Sequence, residues 1–184
     1  MAGNAVDIGY SDVISLSSAF AKRVPFVIIA PAALYESTAP TTGLVVAANS
    51  PIRTAKDLNG KVMAGSGLGT ISGYGPRAWL EQNGADEPSV KFVELPFSSM
   101  QPALDAGRID AATIAEPFLA QARKTDRVIA LPYDSVAKEF YISVYSQRQR
   151  GQRITRSSSS ASPVRSAKPH CGRMPIMQRA PRSC

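Results

Sequence analysis

Short apolar runs alternate with segments of helical periodicity between residues 6 and 146 of this chain. This order is typical of α/β proteins with mainly parallel sheets. The runs predict strands over 6–9, 25–30, 43–48, 61–64, 90–95, 109–115, 127–131 and 140–145. The periodic segments predict helices from residue 11 or 12 to before Pro25, over 72–82, from residue 98 or 99 to Gly107, and over 117–124.

The predicted helices have recognisable start and stop signals. Ser11 or Asp12 can cap the first helix, in which Val13, Leu16 and Phe20 recur at helical spacing. Ser98 or Ser99 can cap the third in the same way. The second helix stops at Asn83-Gly84, because glycine accepts the left-handed backbone that ends helices.

Charge is unevenly distributed along the 184 residues, and this changes the meaning of the net +7. Residues 1–146 hold 12 Lys and Arg against all 14 Asp and Glu, whereas residues 147–184 hold nine Lys and Arg and no acid. The tail is rich in Arg, Ser and Pro and has no periodicity, which predicts disorder. It also lacks interleaved aromatics and a folded frame, so we expect no specific nucleic-acid binding.

Cysteine and histidine occur only in that tail, as His170, Cys171 and Cys184. The folded part therefore has no imidazole or thiol for a catalytic triad, a Cys/His pair or a zinc site of the Cys/His kind. We expect no catalytic residues, no metal and no cofactor. The longest apolar run, 24–34, is interrupted by Pro25 and Pro31 and is too short to span a bilayer, so we expect no membrane insertion.

A glycine-rich loop, Gly65-Ser66-Gly67-Leu68-Gly69-Thr70, leads from a predicted strand into a helix. Backbone N–H groups and the helix dipole at such a junction favour an anionic or polar ligand head. Ser66, Gly67, Gly69, Thr70 and Ser72 are therefore candidate ligand-binding residues. The loop has no Lys-Ser/Thr pair at Walker spacing, and tight packing alone is the alternative explanation of its glycines.

Three further residues occupy positions suited to a ligand site. Ser11 and Asp12 follow a strand at a helix start, where they could face a ligand, cap the helix, or do both. Glu116 follows the carboxyl end of a strand and could accept a hydrogen bond from a ligand amine or hydroxyl, or form a surface salt bridge. The single tryptophan, Trp79, is expected to pack in the core.

Four motifs in order resemble a known family. They are Val6-Asp7-Ile8-Gly9; Ser50-Pro51-Ile52 followed by Asp57-Leu58-Asn59-Gly60-Lys61-Val62; Ala103-Leu104-Asp105-Ala106-Gly107-Arg108-Ile109-Asp110-Ala111; and Glu116-Pro117-Phe118. The chain resembles the periplasmic solute-binding proteins of ABC importers for aliphatic sulfonates, nitrate, taurine and thiamine-pyrimidine precursors.

The resemblance implies a type 2 periplasmic-binding fold, with two α/β lobes closing on a ligand. It implies a partial first lobe over 1–48 and 125–146, with crossing strands at 43–48 and 140–145, and a second lobe over 49–124. The implied function is that of the solute-binding component of an importer, with a small anionic or polar ligand and with a membrane permease and an ATPase as partners. The implied location is the periplasm; the chain as given shows no signal peptide, so we expect it in the cytoplasm if made as given.

The same resemblance predicts a truncated or inactive copy. The family's opening strand and helix would precede Val6, and the tail departs from the helices that the family would continue with, for which a shifted reading frame is our hypothesis. With half of a site, a ligand of micromolar affinity would keep about 4 of roughly 8 kcal/mol, so we expect millimolar binding.

Two other functions fit the same architecture. One is an enzyme resembling the thiamine-pyrimidine synthases, which use a histidine and a cysteine-rich motif that residues 1–146 lack. The other is the effector domain of a LysR-type regulator, but no helix-turn-helix precedes Val6.

Overall fold

The computed structural model describes residues 7–148, which form eight strands and four α-helices. The strands are β1 (Ile8–Asp12), β2 (Phe26–Glu36), β3 (Thr42–Val46), β4 (Val62–Gly65), β5 (Lys91–Glu94), β6 (Ala111–Ala115), β7 (Arg127–Ala130) and β8 (Glu139–Arg148). The helices are α1 (Val13–Ala21), α2 (Ile71–Gln82), α3 (Phe97–Asp105) and α4 (Phe118–Ala122). Short 3-10 turns cover Ala55–Leu58, Glu87–Ser89 and Pro132–Ser135.

The strands form two separate sheets. The first sheet has three strands in the order β1-β8-β2, and β8 is antiparallel to both neighbours. The second sheet has the order β5-β4-β6-β3-β7; β4 is parallel to β5 and β6, and β3 is antiparallel to β6 and β7. Four strands of the second sheet therefore run one way and β3 runs against them. The α/β class is confirmed, with the mainly parallel arrangement confined to the second sheet.

Apolar side chains cover both faces of the second sheet. Leu44 and Val46 of β3 belong to one buried cluster, whereas Val45 between them belongs to another. Successive strand residues point to opposite faces, so an unbroken apolar run is what a doubly covered strand requires. Trp79 of α2 packs against the first of these clusters, as expected for a core residue.

The first sheet is less well covered. Leu16 is the buried residue of α1, while Phe20, expected on the same apolar face, is 70% exposed. Ile8 and Ile28, on the two edge strands, are also more than half exposed. Most of the buried core of the described residues therefore belongs to the second sheet.

The chain passes between the two sheets twice, after β2 at residues 37–41 and after β7 at residues 131–138. The predicted crossing strands at 43–48 and 140–145 coincide with β3 and β8, which directly follow these two connections, and β7 lies in the second sheet. The predicted lobe boundaries at 48/49 and 124/125 stay a prediction.

Two element boundaries differ from those that the sequence indicates. The residue before α3 is Pro96, in extended backbone, so Ser98 and Ser99 lie inside the first turn and do not cap it. Strand β8 continues to Arg148, so Gln147 is part of the fold and not of the tail. The rest of the predicted disordered tail, 149–184, lies outside the described residues. Among the helices of residues 7–148, none has the length and apolar character needed to cross a bilayer.

Candidate functional site

A cavity of about 650 Å³ lies between the two sheets. On the second sheet its lining residues follow the carboxyl ends of the four strands that run the same way, as in other open α/β sheets. Ser66 follows β4, Phe97 follows β5, Glu116 follows β6 and Tyr133 follows β7. The first sheet contributes residues at the end of β1, from β2 and from β8: Tyr10, Ser11, Asp12, Ala33, Leu34 and Ile142.

Hydroxyl groups organise the loop that enters α2. Thr70 caps the helix, accepting from the Ser72 N–H at 3.2 Å and donating to the Gly67 carbonyl at 2.7 Å. The Ser72 hydroxyl accepts from the Ser66 N–H at 3.1 Å. Within residues 7–148 the N–H groups of Gly67, Gly69 and Ile71 have no acceptor. The loop therefore retains donors for a polar ligand.

Packing accounts for some of the loop glycines but not for all. A Cβ on Gly65 would come within 3.0 Å of the Ser72 carbonyl oxygen, and one on Gly67 within 2.9 Å of Thr70 Cγ2. A Cβ on Gly69 would meet nothing within 4 Å. Tight packing is thus a sufficient reason for glycine at 65 and 67 only.

Asp12 caps α1 and also lines the cavity. Its Oδ1 accepts from the N–H groups of Ile14 at 3.1 Å and Ser15 at 3.0 Å. Ser11 Oγ makes a long bond, 3.3 Å, to the Asp12 carbonyl. The capping alternative therefore holds for Asp12, and its second carboxylate oxygen has no hydrogen bond among the described residues.

Glu116 lies at the cavity edge with both carboxylate oxygens engaged. Oε2 accepts from the Ala120 N–H at 3.0 Å, and Oε1 is 3.8 Å from a guanidinium nitrogen of Arg123, which also lies between β6 and β7. The Glu116–Pro117 peptide bond is cis. The salt-bridge alternative for Glu116 is therefore present in the structure, alongside its place in the cavity wall.

Tyr133 is the most buried aromatic residue in the cavity wall and spans both sheets. Burial is the largest influence and raises the pKa of Tyr133 to about 12. The nearby hydroxyls of Thr42 and Ser72 lower this pKa by less, and the charge of Asp12 raises it further. Its ring packs edge-on against Tyr35 of β2, with centroids 5.5 Å apart. The phenol thus stays protonated at neutral pH, and its ring lies against the first sheet.

Six of the eight candidate ligand-binding residues line this one cavity: Ser11, Asp12, Ser66, Thr70, Ser72 and Glu116. Gly67 and Gly69 are in the same loop but outside the lining. That any of the eight binds a ligand stays a prediction. No group of three or more His, Cys, Asp or Glu side chains placed to hold a metal is found within 7–148.

Sequence inspection missed Tyr10, Thr42, Phe97 and Tyr133 as lining residues. Tyr133 had a usable signal, because it follows the predicted strand 127–131 as Glu116 follows the strand before it. The rule that ligands lie beyond strand carboxyl ends applies to both positions. Thr42 had no such signal, since it begins the one strand that runs against the others.

The family model described as NMT1/THI5 like matches residues 1–153. The chain belongs to the NMT1/THI5-like family. This membership confirms the family resemblance inferred from the four motifs. Among proteins with curated descriptions, no sequence matches this chain.

Solved structures of ABC-importer binding proteins share the fold of this NMT1/THI5-like chain. The periplasmic aliphatic sulphonate binding protein SsuA of Escherichia coli is 23% identical, with a TM-score of 0.65 over 80% of this chain and 46% of that one. The alkanesulfonate-binding protein SsuA of Xanthomonas axonopodis pv. citri, bound to MOPS, is 19% identical, with a TM-score of 0.67 over 80% of this chain and 50% of that one. The ligand-binding component of an import system from Staphylococcus aureus, with zinc bound, is 14% identical, with a TM-score of 0.65 over 79% and 49%.

These likenesses confirm the type 2 periplasmic-binding fold of the NMT1/THI5-like chain. The chain spans about half the length of each of the three structures. All three are named for ligand binding or sulfonate binding, and none for catalysis.

Proposed function

We propose that this chain binds a small polar molecule between its two sheets, as the solute-binding component of an ABC importer. The observation that carries the proposal is the cavity of about 650 Å³, which collects polar side chains from both sheets at strand ends. A cavity of that size suits a small metabolite. In this role a membrane permease and an ATPase are the partners, and the periplasm is the place of action.

The composition of the cavity favours binding over catalysis. Its lining offers hydroxyls, the free backbone N–H of Ile71, two carboxylates and aromatic rings, and residues 7–148 contain neither cysteine nor histidine. Hydrogen-bond donors and rings are sufficient to orient a ligand. The two connections between the sheets, 37–41 and 131–138, provide the hinge that closure on a ligand requires.

Calorimetric titration of the purified chain with small sulfonates, nitrate, carboxylates and pyrimidines tests this proposal. The matched variants are Thr41→Trp, which puts bulk into the cavity at an exposed lining position, and Lys124→Trp, which puts it at an exposed position outside the lining. We expect at least one compound to bind, with affinity lost in Thr41→Trp and kept in Lys124→Trp. Binding that survives in Thr41→Trp would place the ligand elsewhere.

A further inference from the structure

The charge of the cavity wall is negative. Asp12 and Glu116 are its only charged residues, and no Lys or Arg lines it among residues 7–148. A second depression of about 620 Å³, between β5 and α3, shows the opposite pattern, with Lys91 and Arg108 in its lining and no acid. The lack of Lys and Arg side chains is thus particular to the lining of the cleft between the sheets and is not shared by the second depression.

The two carboxylates of the cleft differ in how far protein groups already engage their oxygens and charge. Arg123 and the Ala120 N–H engage both oxygens of Glu116, so part of its charge is already compensated. Asp12 has no cation partner in the described part of the chain, and both of its hydrogen bonds go to Oδ1. An unpaired carboxylate beside a cavity attracts a cation and repels an anion, most strongly where solvent is excluded.

The surroundings of Asp12 suit an organic cation. Tyr10 and Tyr133 line the cavity next to it, and Asp12 acts electrostatically on both the phenol of Tyr133 and its own helix α1. Aromatic faces attract ammonium groups and protonated ring nitrogens. The free N–H of Ile71, the first residue of α2 and part of the cavity lining, remains on the second sheet for a polar head at the other end of the ligand.

We propose, resting on the proposed function, that the ligand of this cleft carries a cationic hydrogen-bond donor, an ammonium or protonated ring nitrogen, which binds the carboxylate of Asp12. The cleft then discriminates against a simple anion of the same size. This assigns Asp12 as the specificity-determining residue and narrows the expected class of ligand from anionic or polar to amine-bearing.

Two pairs of compounds that differ by one amine test the proposal: β-alanine with propionate, and 2-aminoethanesulfonate with ethanesulfonate. Each is titrated calorimetrically into the full chain, into Asp12→Asn and into Asp105→Asn. Asparagine caps helices about as well as aspartate, so Asp12→Asn removes the charge and keeps α1 capped. Asp105 lies at the end of α3 outside the cavity lining and is the matched charge control.

We expect the amine-bearing member of each pair to bind the unmodified chain at least about tenfold more tightly than its partner. In Asp12→Asn the ratio should fall below about threefold, and in Asp105→Asn it should not change. Equal affinities within both pairs, or an undiminished ratio in Asp12→Asn, would overturn the inference and leave the proposed function standing. If neither these four compounds nor any compound of the wider panel binds, both the inference and the proposed function are overturned.

Discussion

Among single residues, Tyr133 lies both in the cavity wall and in the connection 131–138 between the sheets. Its side chain is buried among the residues of the cavity wall, and its ring contacts Tyr35 and Phe140. Burial, the largest influence, raises the pKa of Tyr133 to about 12. The folded state therefore favours the neutral form of the Tyr133 phenol over the phenolate.

This buried phenol predicts a loss of stability at high pH. The unfolded chain releases the Tyr133 proton near pH 10 and the folded chain near 12, so its stabilising contribution is complete below pH 10 and is lost between 10 and 12. Two pKa units correspond to about 3 kcal/mol. About 2 kcal/mol of this is lost by pH 11.5, so urea unfolding of Tyr133→Phe from pH 9 to 11.5 should show a fall in unfolding free energy that is smaller by about 2 kcal/mol. The control is Tyr74→Phe, at a half-exposed ring, which should follow the unmodified chain.

Among the elements, helices α2 and α3 show why some boundaries follow from the sequence and others do not. Helix α2 was predicted within one residue, because Thr70 caps it by side chain and Asn83-Gly84 ends it by local backbone preference. Helix α3 begins at Phe97, before Ser98, and no side chain caps it, so its start leaves no capping signal in the sequence. Signals that act within a few residues can be recognised in a sequence; a start without such a signal cannot.

Strands show the same division between local and tertiary causes. Strand β2 continues through Pro31, where the sequence suggested an end, because it is an edge strand with an irregular register there. The grouping of Ser66, Glu116 and Asp12 around one cavity follows in part from the strand-end rule. The contribution of Thr42 depends on the direction of β3, which only pairing with β6 and β7 reveals.

The packing of α2 gives a prediction whose sign opposes helix propensity. A Cβ on Gly73 would overlap the Leu68 carbonyl, whereas one on Gly69 would meet nothing within 4 Å. Propensity alone favours alanine over glycine inside a helix by about 1 kcal/mol. We expect Gly73→Ala to destabilise the chain by about 2 to 3 kcal/mol and Gly69→Ala to change stability by less than about 0.5 kcal/mol in urea titrations. A Gly73→Ala chain as stable as the unmodified one would contradict this close approach.

For the whole molecule, one carboxylate ties the two connections between the sheets together. Asp134, in the 3-10 turn after β7, accepts from Tyr35 Oη at 2.8 Å, Ser37 Oγ at 2.9 Å and Lys138 Nζ at 2.8 Å. Burial raises the pKa of Asp134, but these hydrogen bonds together outweigh it and lower the pKa below its ordinary value. Residues of both crossings therefore depend on the same charge.

Removing that carboxylate should destabilise the two connections between the sheets. Asp134→Ala leaves the hydroxyl of the fully buried Tyr35 without its acceptor, and we expect a loss of about 2 kcal/mol in unfolding free energy. Lys138→Ala, at a largely exposed side chain, should cost less than about 0.5 kcal/mol. A double-mutant cycle with Tyr35→Phe should give a coupling of about 1 kcal/mol, and additive effects would show that the two groups do not interact.

If one ligand contacts both sheets, backbone NMR should detect it at both. A compound found to bind by calorimetry is titrated into the isotopically labelled chain while the amide signals of Ser11 and Asp12 on the first sheet and of Ser66 and Thr70 on the second are followed. We expect all four signals to shift along one binding curve, because these residues line one cavity. Shifts confined to one sheet, or to the depression lined by Lys91 and Arg108, would contradict it.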